Sequence, residues 1–362
     1  MATKVYLEGD GNLDVLKGKT ITFIGYGNQG RAQALNLRDS GVNVIIGNKD
    51  DEYKARAEKD GFETFSIAGA VKKADATFLL IPDEVMKEVF ESQVRENLKE
   101  KSAVVFASGY NIAFGLMEPP SNVDVLLIAP RMIGVGVRET FLSGEGYFSF
   151  IHVHQDASGS ATEVLLALSK GVGTLIKGAI DTTFKQEAVL DLFNEQGFGP
   201  AFGRVLLSSI YTLVDAGYPA EAVLVEMYMS GEMSYTYQKM ANIGLVKQTN
   251  FHSHTSQYGA MSRGIKFMNL PLKKIMKGIL EHIESGGFAR EWENPLNRLK
   301  FKLIKFFAMK VKINQLENKV RKNLNLKEIN ILDKEPPTAE EMEKLKAIEK
   351  ELDEFEEFYK EF

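Results

Sequence analysis

The chain of 362 residues has no cysteine, one tryptophan and ten prolines. Without cysteine it has no disulfide framework, no thiolate metal site and no cysteine nucleophile. It also lacks an apolar run of the roughly 18 residues that a membrane span needs, and its start, "MATKVYLEGDGN", lacks the apolar core of a secretory signal. These features predict a cytoplasmic protein with no membrane partner.

Negative charge is concentrated at the carboxyl end. The formal net charge is −5, yet residues 335–362 hold eleven acids and four lysines, which is −7, so the rest of the chain is close to +2. The negative total argues against a nucleic-acid partner. The basic and apolar segment "RLKFKLIKFFAMKVK" (298–312) is interpreted as a packed helix with snorkelling lysines or as a membrane-surface helix; it also offers a surface for the acidic end.

Short apolar runs alternate with helical patterns between residues 20 and 150. The runs "TITFIGYG", "VNVIIG", "ATFLLIP", "SAVVFAS" and "DVLLIAP" predict five strands. Apolar strands separated by helices are typical of a parallel sheet covered on both faces, so we predict an α/β fold with a Rossmann-type doubly wound sheet. After about residue 183 the strand patterns fade, and long helical patterns such as "AEAVLVEMYMSGEMSYTYQKMANIG" predict an all-α second domain.

The predicted domains are a nucleotide-binding domain at 1–182, an all-helical domain at 183–326, and a linker with an acidic amphipathic helix at 327–362. A capping box of Thr338 and Glu341, directly after two prolines, predicts the start of the last helix. Its apolar stripe has spacings of three and four residues and consists of Met342, Leu345, Ile348, Leu352, Phe355 and Tyr359. Such a stripe usually packs on the body of the chain or on another chain.

A glycine motif, G-x-G-x-x-G, occurs at Gly25, Gly27 and Gly30 in "FIGYGNQGRAQALNL". It follows an apolar strand and opens a helix, which is the context of a dinucleotide site. Gly25 would permit a tight turn, Gly27 the close approach of a pyrophosphate, and Gly30 close packing of helix on strand. The alternative is a purely structural glycine turn.

The loop after the second strand reads "NKDDEYK", with Asp50 lying 25 residues after Gly25. An acidic residue near this position can bind the ribose 2′-hydroxyl of NAD, whereas a 2′-phosphate requires positive charge. Three consecutive acids (50–52) therefore predict NADH as the preferred cofactor over NADPH, although Lys49 and Lys54 lie close by.

Two acids, Asp191 and Glu195, stand four residues apart in "DLFNEQ" and would share one face of a helix. Either that face is simply solvated or a cation lies between the two carboxylates.

Several segments together resemble ketol-acid reductoisomerases. They are "GYGNQGRAQALNLRDSGVNVIIG", "LLIPDE" (79–84), "HQDASG" (154–159), "TTFKQEAVLDLFNEQ" (182–196) and "SGGFAREW" (285–292), in the order and spacing of that family. The resemblance covers roughly residues 12 to 326 and is closest to the short form, which has a single helical domain. It implies a Rossmann-type domain followed by an all-α domain for metal, substrate and dimerisation.

The resemblance also implies an activity. Members of this family use NAD(P)H and Mg²⁺ to isomerise a 2-acetohydroxy acid by alkyl migration and to reduce the product to a 2,3-dihydroxy acid, on the route to valine and isoleucine. The partner implied is therefore a small keto or hydroxy acid, and the expected assembly is a homodimer with shared active sites.

Residue by residue, the resemblance assigns Asp191 and Glu195 as magnesium ligands, with Glu226 contributed by a partner subunit. Ser253 matches a serine that contacts the substrate carboxylate, and Arg131 stands at the position of the active-site lysine. The positions that would contact the cofactor are Gly25, Tyr26, Gly27, Asn28, Gln29, Gly30, Asn48, Asp50, Pro82 and Ser108.

Three positions differ from the family in chemistry. The second glutamate of the partner helix is Ser230, which removes an anionic oxygen ligand. The lysine is Arg131, which stays protonated but can bind a carboxylate through two nitrogens. A histidine is replaced by Ser108. Since alkyl migration requires both metal ions, the reductase step is better supported than the isomerase step.

Three functions remain open: a ketol-acid reductoisomerase with a remodelled site, a dehydrogenase of related keto acids without isomerase activity, or a catalytically silent nucleotide-binding protein. His252 and His254 flank Ser253 and are either ordinary polar residues beside the cleft or a replacement acid or metal ligand. We assign no chemistry to His152 and His154.

Overall fold

The computed structural model describes residues 3–308 and 311–326. The chain divides into two compact units, Met1–Asp191 and Leu192–Phe362. The predicted carboxyl-terminal helix, with its capping box and apolar stripe, lies outside the described residues. The domain limits drawn from the sequence remain a prediction.

One mixed sheet forms the centre of the first unit. Within the described residues it has nine strands: β1 (Val5–Tyr6), β2 (Thr20–Ile24), β3 (Asn43–Gly47), β4 (Glu63–Phe65), β5 (Ala76–Leu79), β6 (Ala103–Phe106), β7 (Asp124–Pro130), β8 (Phe148–Gln155) and β9 (Gly178–Asp181). Their order is β1-β9-β8-β7-β6-β5-β2-β3-β4. Strands β4, β3, β2, β5, β6 and β7 are parallel, whereas β8 pairs antiparallel with β7 and β1 pairs antiparallel with β9.

The sheet confirms the predicted α/β class. The five apolar runs correspond to β2, β3, β5, β6 and β7, which occupy adjacent positions near its centre. The search for continuous apolar runs missed β1, β4, β8 and β9: three of them have at most four residues, and β8 alternates polar with apolar side chains instead of forming a continuous apolar run. The chain leaves β2 toward β3 on one side and returns to β5 on the other, so a topological switch point lies between β2 and β5.

Helices cover both faces of this sheet. They are α1 (Asn28–Asp39), α2 (Glu52–Lys59), α3 (Ile67–Lys73), α4 (Asp83–Val89), α5 (Tyr110–Ala113), α6 (Gly134–Ser143), α7 (Ala161–Val172) and α8 (Phe184–Phe193). Two separate clusters of buried apolar side chains, one around Phe23 and Phe78 and one around Phe90 and Phe106, form the core. A sheet buried in this way holds the ends of its strands rigidly, and those ends form the site.

The second unit is helical throughout its described residues. It contains α9 (Gly199–Asp215), α10 (Ala220–Leu224), α11 (Glu232–Ile243), α12 (His254–Gly264), α13 (Leu272–Glu284), α14 (Gly287–Glu293), α15 (Pro295–Ala308) and α16 (Lys312–Asn323). The pattern at 220–244 is not one helix: it divides at Gly231, whose φ of +82° lies in the left-handed region. No helix in the described part of the chain is both long and apolar enough to cross a bilayer.

Candidate active site

The glycine motif forms a tight loop between β2 and α1. Gly25 has a φ of +94°, and a Cβ there would lie 2.4 Å from the Leu80 carbonyl oxygen. A Cβ on Gly30 would lie 2.1 Å from the Gly25 carbonyl oxygen, so both positions exclude side chains for structural reasons. A Cβ on Gly27 would have no heavy atom within 4 Å. Gly27 therefore leaves open space above the amino terminus of α1, where a phosphate can bind backbone N–H groups.

Tyr26 supports this loop from inside the protein. Its side chain is buried, and its hydroxyl donates to Asp60 Oδ2 at 2.9 Å. Arg31 donates from Nε and Nη2 to both oxygens of the same carboxylate, at 2.7 and 3.1 Å. The bond from Arg31 holds the pKa of Asp60 below its ordinary value, and burial raises the pKa of Tyr26. Tyr26 can therefore contact a cofactor only through its backbone.

Gln29 and Asn28 hold the neighbouring loop that follows β7. Gln29 Nε2 donates to the Met132 carbonyl at 2.8 Å. The Asn28 carbonyl lies so close to Gly134 that a Cβ on this glycine would be 2.3 Å from the oxygen. The loop after β7 is thus fixed against the nucleotide loop, and the Gln29 side chain is used in that contact.

At the end of β3 the acidic residues have different roles. Asp51 caps α2 by accepting from the N–H groups of Tyr53 and Lys54, and it also accepts from Asn48 Nδ2 at 2.8 Å. Asp50 is almost fully exposed, and its carboxylate lies 3.0 Å from Lys54 Nζ. Asp50 is therefore available to a ligand, whereas Asp51 is used as the cap of α2.

Pro82 and Ser108 follow β5 and β6. Pro82 is exposed and precedes α4, while Ser108 Oγ accepts from the Tyr110 N–H at 3.3 Å. Because β2, β3, β5, β6 and β7 are parallel, the residues after them, including Arg131, lie along one edge of the sheet. The structure thus brings the cofactor positions and Arg131 to the same edge.

Arg131 bridges two carboxylates of α8. Its Nη1 donates to Asp191 Oδ1 and its Nη2 donates to Glu187 Oε1, both at 2.8 Å. The guanidinium also lies over the Phe150 ring, 4.9 Å from its centroid, and Nε donates to the Ala129 carbonyl at 3.3 Å. Arg131 is therefore held in one orientation, with its charge between the two acids.

Glu187 is a site residue that the sequence did not reveal. Its side chain is 1% exposed, and Oε2 accepts from the Gly109 N–H at 2.6 Å. The pKa of Glu187 is raised to about 7: burial is the main cause and the neighbouring Asp191 adds to it, whereas Arg131 and the Gly109 N–H act in the opposite direction. One feature of the sequence could have identified Glu187, namely its spacing: Glu187, Asp191 and Glu195 follow each other at intervals of four residues.

Gly109 explains why α8 lies so close to the end of β6. A Cβ at this position would lie 2.3 Å from the Phe184 carbonyl oxygen and 2.8 Å from Glu187 Oε2. The Phe184 ring packs edge-on against Phe106 of β6, with centroids 5.9 Å apart. The first turn of α8 is thus anchored on the sheet, and this anchor sets the position of Glu187 beneath Arg131.

Glu195 and Glu226 belong to the second unit, and each lies in a π-helical turn. Those turns are Asn194–Phe198, directly after α8, and Val225–Met229, directly after α10. Both carboxylates are exposed. Turns of this type often occur at functional sites, because the extra residue reorients side chains relative to an α-helix.

Ser230 ends the second π turn and contacts the first residue of α11. Its hydroxyl accepts from the Glu232 N–H at 3.2 Å, on the other side of the break at Gly231. Glu232 is therefore separated from Glu226 by a helix end. Across residues 3–308 and 311–326, no three His, Cys, Asp or Glu side chains are grouped closely enough to hold a metal ion.

Ser253 is the N-cap of α12 and is exposed. Its hydroxyl accepts from the Ser256 N–H at 3.3 Å. His252 lies against Gln248, with Nε2 and Oε1 3.3 Å apart, and His254 is the first residue of α12. These contacts are those of polar residues at a helix start.

The other histidine pair lies on β8, in the first unit. His152 Nδ1 is 3.0 Å from Asp181 Oδ1, and the His154 ring packs edge-on against Phe184. Both contacts join β8 to neighbouring parts of the first unit.

Two family models match this chain. The model described as acetohydroxy acid isomeroreductase, NADPH-binding domain, matches residues 15–178, and the model described as ketol-acid reductoisomerase, C-terminal domain, matches residues 184–326. Together they account for most of the described residues.

Similar proteins carry related names. A protein named putative ketol-acid reductoisomerase 3, from Saccharolobus solfataricus, is 46% identical over 78% of this chain and 86% of its own length. A ketol-acid reductoisomerase (NADP(+)) from Petrotoga mobilis is 42% identical over 82% of this chain and 90% of its own. The solved structure of an NADH-preferring ketol-acid reductoisomerase from an uncultured archean superimposes with a TM-score of 0.82 at 33% identity, covering 88% of this chain and 98% of that one.

Proposed function

Since this chain belongs to the ketol-acid reductoisomerase family, we propose that it converts a 2-acetohydroxy acid into a 2,3-dihydroxy acid with NAD(P)H, on the route to branched-chain amino acids. The observation that carries the proposal is the shared edge of the sheet. The nucleotide loop after β2 and the Arg131 cluster after β7 both lie there, so a nicotinamide and a keto acid would meet within one site.

The residues of the first unit have distinct tasks in this proposal. Gly25, Gly27 and the amino terminus of α1 hold the pyrophosphate, and the nicotinamide when bound supplies the hydride. Arg131 holds Asp191 and Glu187 in place and keeps positive charge beside the keto acid. Glu187, whose pKa is near 7, can hold or release a proton at Oε1 or Oε2 at neutral pH.

The carboxylates of this chain offer oxygen ligands to Mg²⁺. Asp191 Oδ1 is occupied by Arg131, whereas the structure gives Oδ2 no partner among the described residues, and this side chain is 43% exposed. Asp191, Glu195 and Glu226 of the partner subunit would supply three oxygen ligands, the type that Mg²⁺ prefers. Ser230 supplies no fourth carboxylate. When bound, Mg²⁺ would polarise substrate oxygens, as both steps of the reaction require.

Ser253 is proposed to hold the substrate carboxylate. Its position at the start of α12 supports this role, because the first N–H groups of a helix attract an anion. The sequence departures at Ser108, Arg131 and Ser230 leave the reductase step better supported than the isomerase step. A keto-acid dehydrogenase without isomerase activity is therefore the second candidate.

A homodimer with shared sites, located in the cytoplasm, is part of the proposal. The second unit exposes many large apolar side chains, and monomeric proteins rarely expose so many together. Six of them are each at least 67% exposed: Leu245, Val246, Phe251, Tyr258, Ile265 and Met268. Burial of these side chains against a second copy would bring Glu226 and Ser253 to the neighbouring site.

One assay tests the function. The purified protein is incubated with Mg²⁺ and NADH, with 2-acetolactate in one sample and 3-hydroxy-3-methyl-2-ketobutyrate in the other. We expect NADH oxidation in both, loss of activity when Mg²⁺ is omitted, and a dimer or larger assembly by light scattering. Oxidation with the second compound alone would leave the dehydrogenase as the function, and NADH binding without turnover of either would refute both enzymes.

The cofactor preference is proposed to be NADH, and it depends on Asp50. Relatives are named for either cofactor, so the preference rests on the exposed carboxylate of this loop. Replacing Asp50 by Asn removes a charge that repels a 2′-phosphate and frees Lys54 to attract it. We expect the ratio of kcat/KM for NADPH to that for NADH to rise by about tenfold or more.

Asp14→Asn is the matched control. Asp14 is also exposed and lies 2.8 Å from a lysine, Lys17, but it precedes β2 rather than following β3. Its replacement should leave the ratio unchanged. An equal change in both variants, or none in Asp50→Asn, would rule out Asp50 as the discriminating residue.

A further inference from the structure

Helix α16 packs along the helical stretch that carries Glu226. This stretch consists of α10 and the π turn that follows it, residues 220–229. One apolar cluster contains buried side chains of both helices, namely Val223, Leu224, Ile313 and Val320. The side chains of residues 227–229 pack against the same cluster. The exposed Glu226 therefore stands on a stretch whose other side is buried against α16.

Two hydrogen bonds join α16 to this stretch, one near each end. Asn323 donates from Nδ2 to Glu221 Oε1 at 2.7 Å, in the first turn of α10. The Tyr228 hydroxyl donates to Glu317 Oε1, in the π turn itself. The order of these contacts makes the two helices antiparallel, and the two bonds lie on either side of Glu226 in the chain.

Tyr228 and Glu226 point to nearly opposite sides of the turn. Residues two apart in an α-helix are separated by about 200° around its axis, and the wider π turn keeps them on different sides. The turn is closed by the Ser230 N–H, which donates to the Val225 carbonyl at 3.1 Å. Tyr228 is half-buried, whereas Glu226 is exposed. Holding the phenol on α16 therefore sets the direction of the Glu226 carboxylate.

The alternative to a π turn is an ordinary α-helical turn. Such a turn contains one residue fewer, so it would rotate the residues after it by about 100° relative to those before it. Glu221 precedes the turn and is held by Asn323. Tyr228 lies within the turn and is held by Glu317. With both parts bound to the same helix, the rotation is opposed.

We propose that Tyr228 and Glu317 are positioning residues for the metal site: their hydrogen bond holds the π turn so that Glu226 presents its carboxylate to Mg²⁺. The inference rests on the proposed function, in which Glu226 is a magnesium ligand. Both residues act through the turn and not as ligands. A carboxylate that is already oriented loses less conformational freedom when it binds a cation, so the affinity for Mg²⁺ depends on this bond.

Hydrogen exchange in metal-free buffer tests the hold on the turn. In the full-length protein we expect the amides of residues 225–230 to exchange at least about tenfold faster in Tyr228→Phe and in Glu317→Ala than in the wild type. Glu317→Gln should exchange at about the wild-type rate, because its amide oxygen can still accept from the Tyr228 hydroxyl. The double variant Tyr228→Phe with Glu317→Ala should exchange no faster than either single variant, since both changes remove the same bond.

Calorimetric titration of the NADH-bound protein with MgCl₂ tests the consequence for the metal. We expect the Kd for Mg²⁺ to rise by about tenfold in Tyr228→Phe and in Glu317→Ala. Glu317→Gln should bind Mg²⁺ as the wild type does. The Kd for NADH should be unchanged in all three variants. An effect confined to Mg²⁺ distinguishes a positioning role from a general loss of stability.

Asn314→Ala is the matched control. Asn314 lies on α16, three residues before Glu317, and its side chain donates to the Ala308 carbonyl at 3.1 Å. This variant also removes one hydrogen bond of α16, yet it should leave the Kd for Mg²⁺ and the exchange of residues 225–230 unchanged.

The outcomes separate this inference from the proposed function. Wild-type exchange in Tyr228→Phe, faster exchange with an unchanged Kd for Mg²⁺, or equal effects of Tyr228→Phe and Asn314→Ala would overturn the inference alone. A wild-type protein that binds no Mg²⁺ would overturn the metal site of the proposed function, and the inference with it.

Discussion

Replacing Gly27 by Ala should abolish tight NADH binding without weakening the fold, whereas Gly30→Ala should damage both. The difference arises from the space around each glycine. A Cβ on Gly27 meets no heavy atom within 4 Å, and its φ of −74° suits any residue. A Cβ on Gly30 would lie 2.1 Å from the Gly25 carbonyl oxygen, so the loop or α1 must move.

For Gly27→Ala we expect the Kd for NADH to rise by roughly 100-fold, about 2.7 kcal/mol, because a methyl group occupies the space of the pyrophosphate. Its melting temperature should stay within about 2 °C of the wild-type value. Gly30→Ala should lower the melting temperature by roughly 6 °C or more and bind no detectable NADH. Calorimetry measures both quantities on the same samples.

The contrast between the two variants is the informative result. Wild-type affinity in Gly27→Ala would mean that the pyrophosphate does not pass over this loop, and the dinucleotide site would have to be sought elsewhere. Equal destabilisation of the two variants would mean that Gly27 serves the fold and not the ligand.

Arg131→Met should destabilise the protein by about 3 kcal/mol at pH 8, because it leaves Glu187 buried without its cation. Glu187 is 1% exposed, and methionine keeps most of the volume of the arginine stem while removing the hydrogen bonds to Glu187, Asp191 and the Ala129 carbonyl. The same change should also remove most of the catalytic activity, since Asp191 loses the partner that orients it. Urea unfolding followed by circular dichroism measures the first effect.

The loss of stability in Arg131→Met should depend on pH, and the titration of Glu187 decides whether that loss grows or shrinks as the pH rises. The folded-state pKa of about 7 lies above the ordinary value of 4.5, so between these values the folded protein holds a proton that the unfolded chain has lost. Stability therefore falls as the pH rises through this window and levels off above about 7. Without Arg131 the folded-state pKa of Glu187 rises further, so the fall continues to higher pH.

At pH 5.5, where Glu187 is protonated with or without Arg131, the cost should shrink to about 1 kcal/mol. Arg95→Met provides a control: Arg95 pairs with Glu91 on the surface, and Glu91 is 44% exposed. It should cost less than about 1 kcal/mol at both pH values. A cost for Arg131→Met that does not change with pH would indicate lost packing alone.

Much of the first unit was predictable because its signals are local. Strands β2, β3, β5, β6 and β7 are continuous apolar runs, and the turn after β2 requires glycine at Gly25 whatever surrounds it. The edge strands were missed, since β4 has only three residues and lacks an apolar run. Pairing with β3 creates that strand, and pairing is a tertiary property.

The site was predicted only in part. The order of the strands placed Gly25, Asp50, Ser108 and Arg131 at one edge of the sheet, as a doubly wound fold requires. The carboxylates that pair with Arg131 were not predictable, because the sequence contains many acidic residues and does not show which of them lie close to Arg131. The π-helical turns at Glu195 and Glu226, and the break at Gly231, were not visible in the helical periodicity of the sequence.

The sequence by itself determined the α/β class, the nucleotide loop and the membership in a family, because short-range geometry and residue order carry that information. Only the tertiary structure decided which carboxylates pair with Arg131 and which of them has a shifted pKa. Arg131 and Asp191 are 60 residues apart in the chain, and β7 and α8 bring their charged groups to 2.8 Å. Burial then changes the pKa of Glu187, since the free energy of a charge depends on what surrounds it and not on its neighbours in sequence.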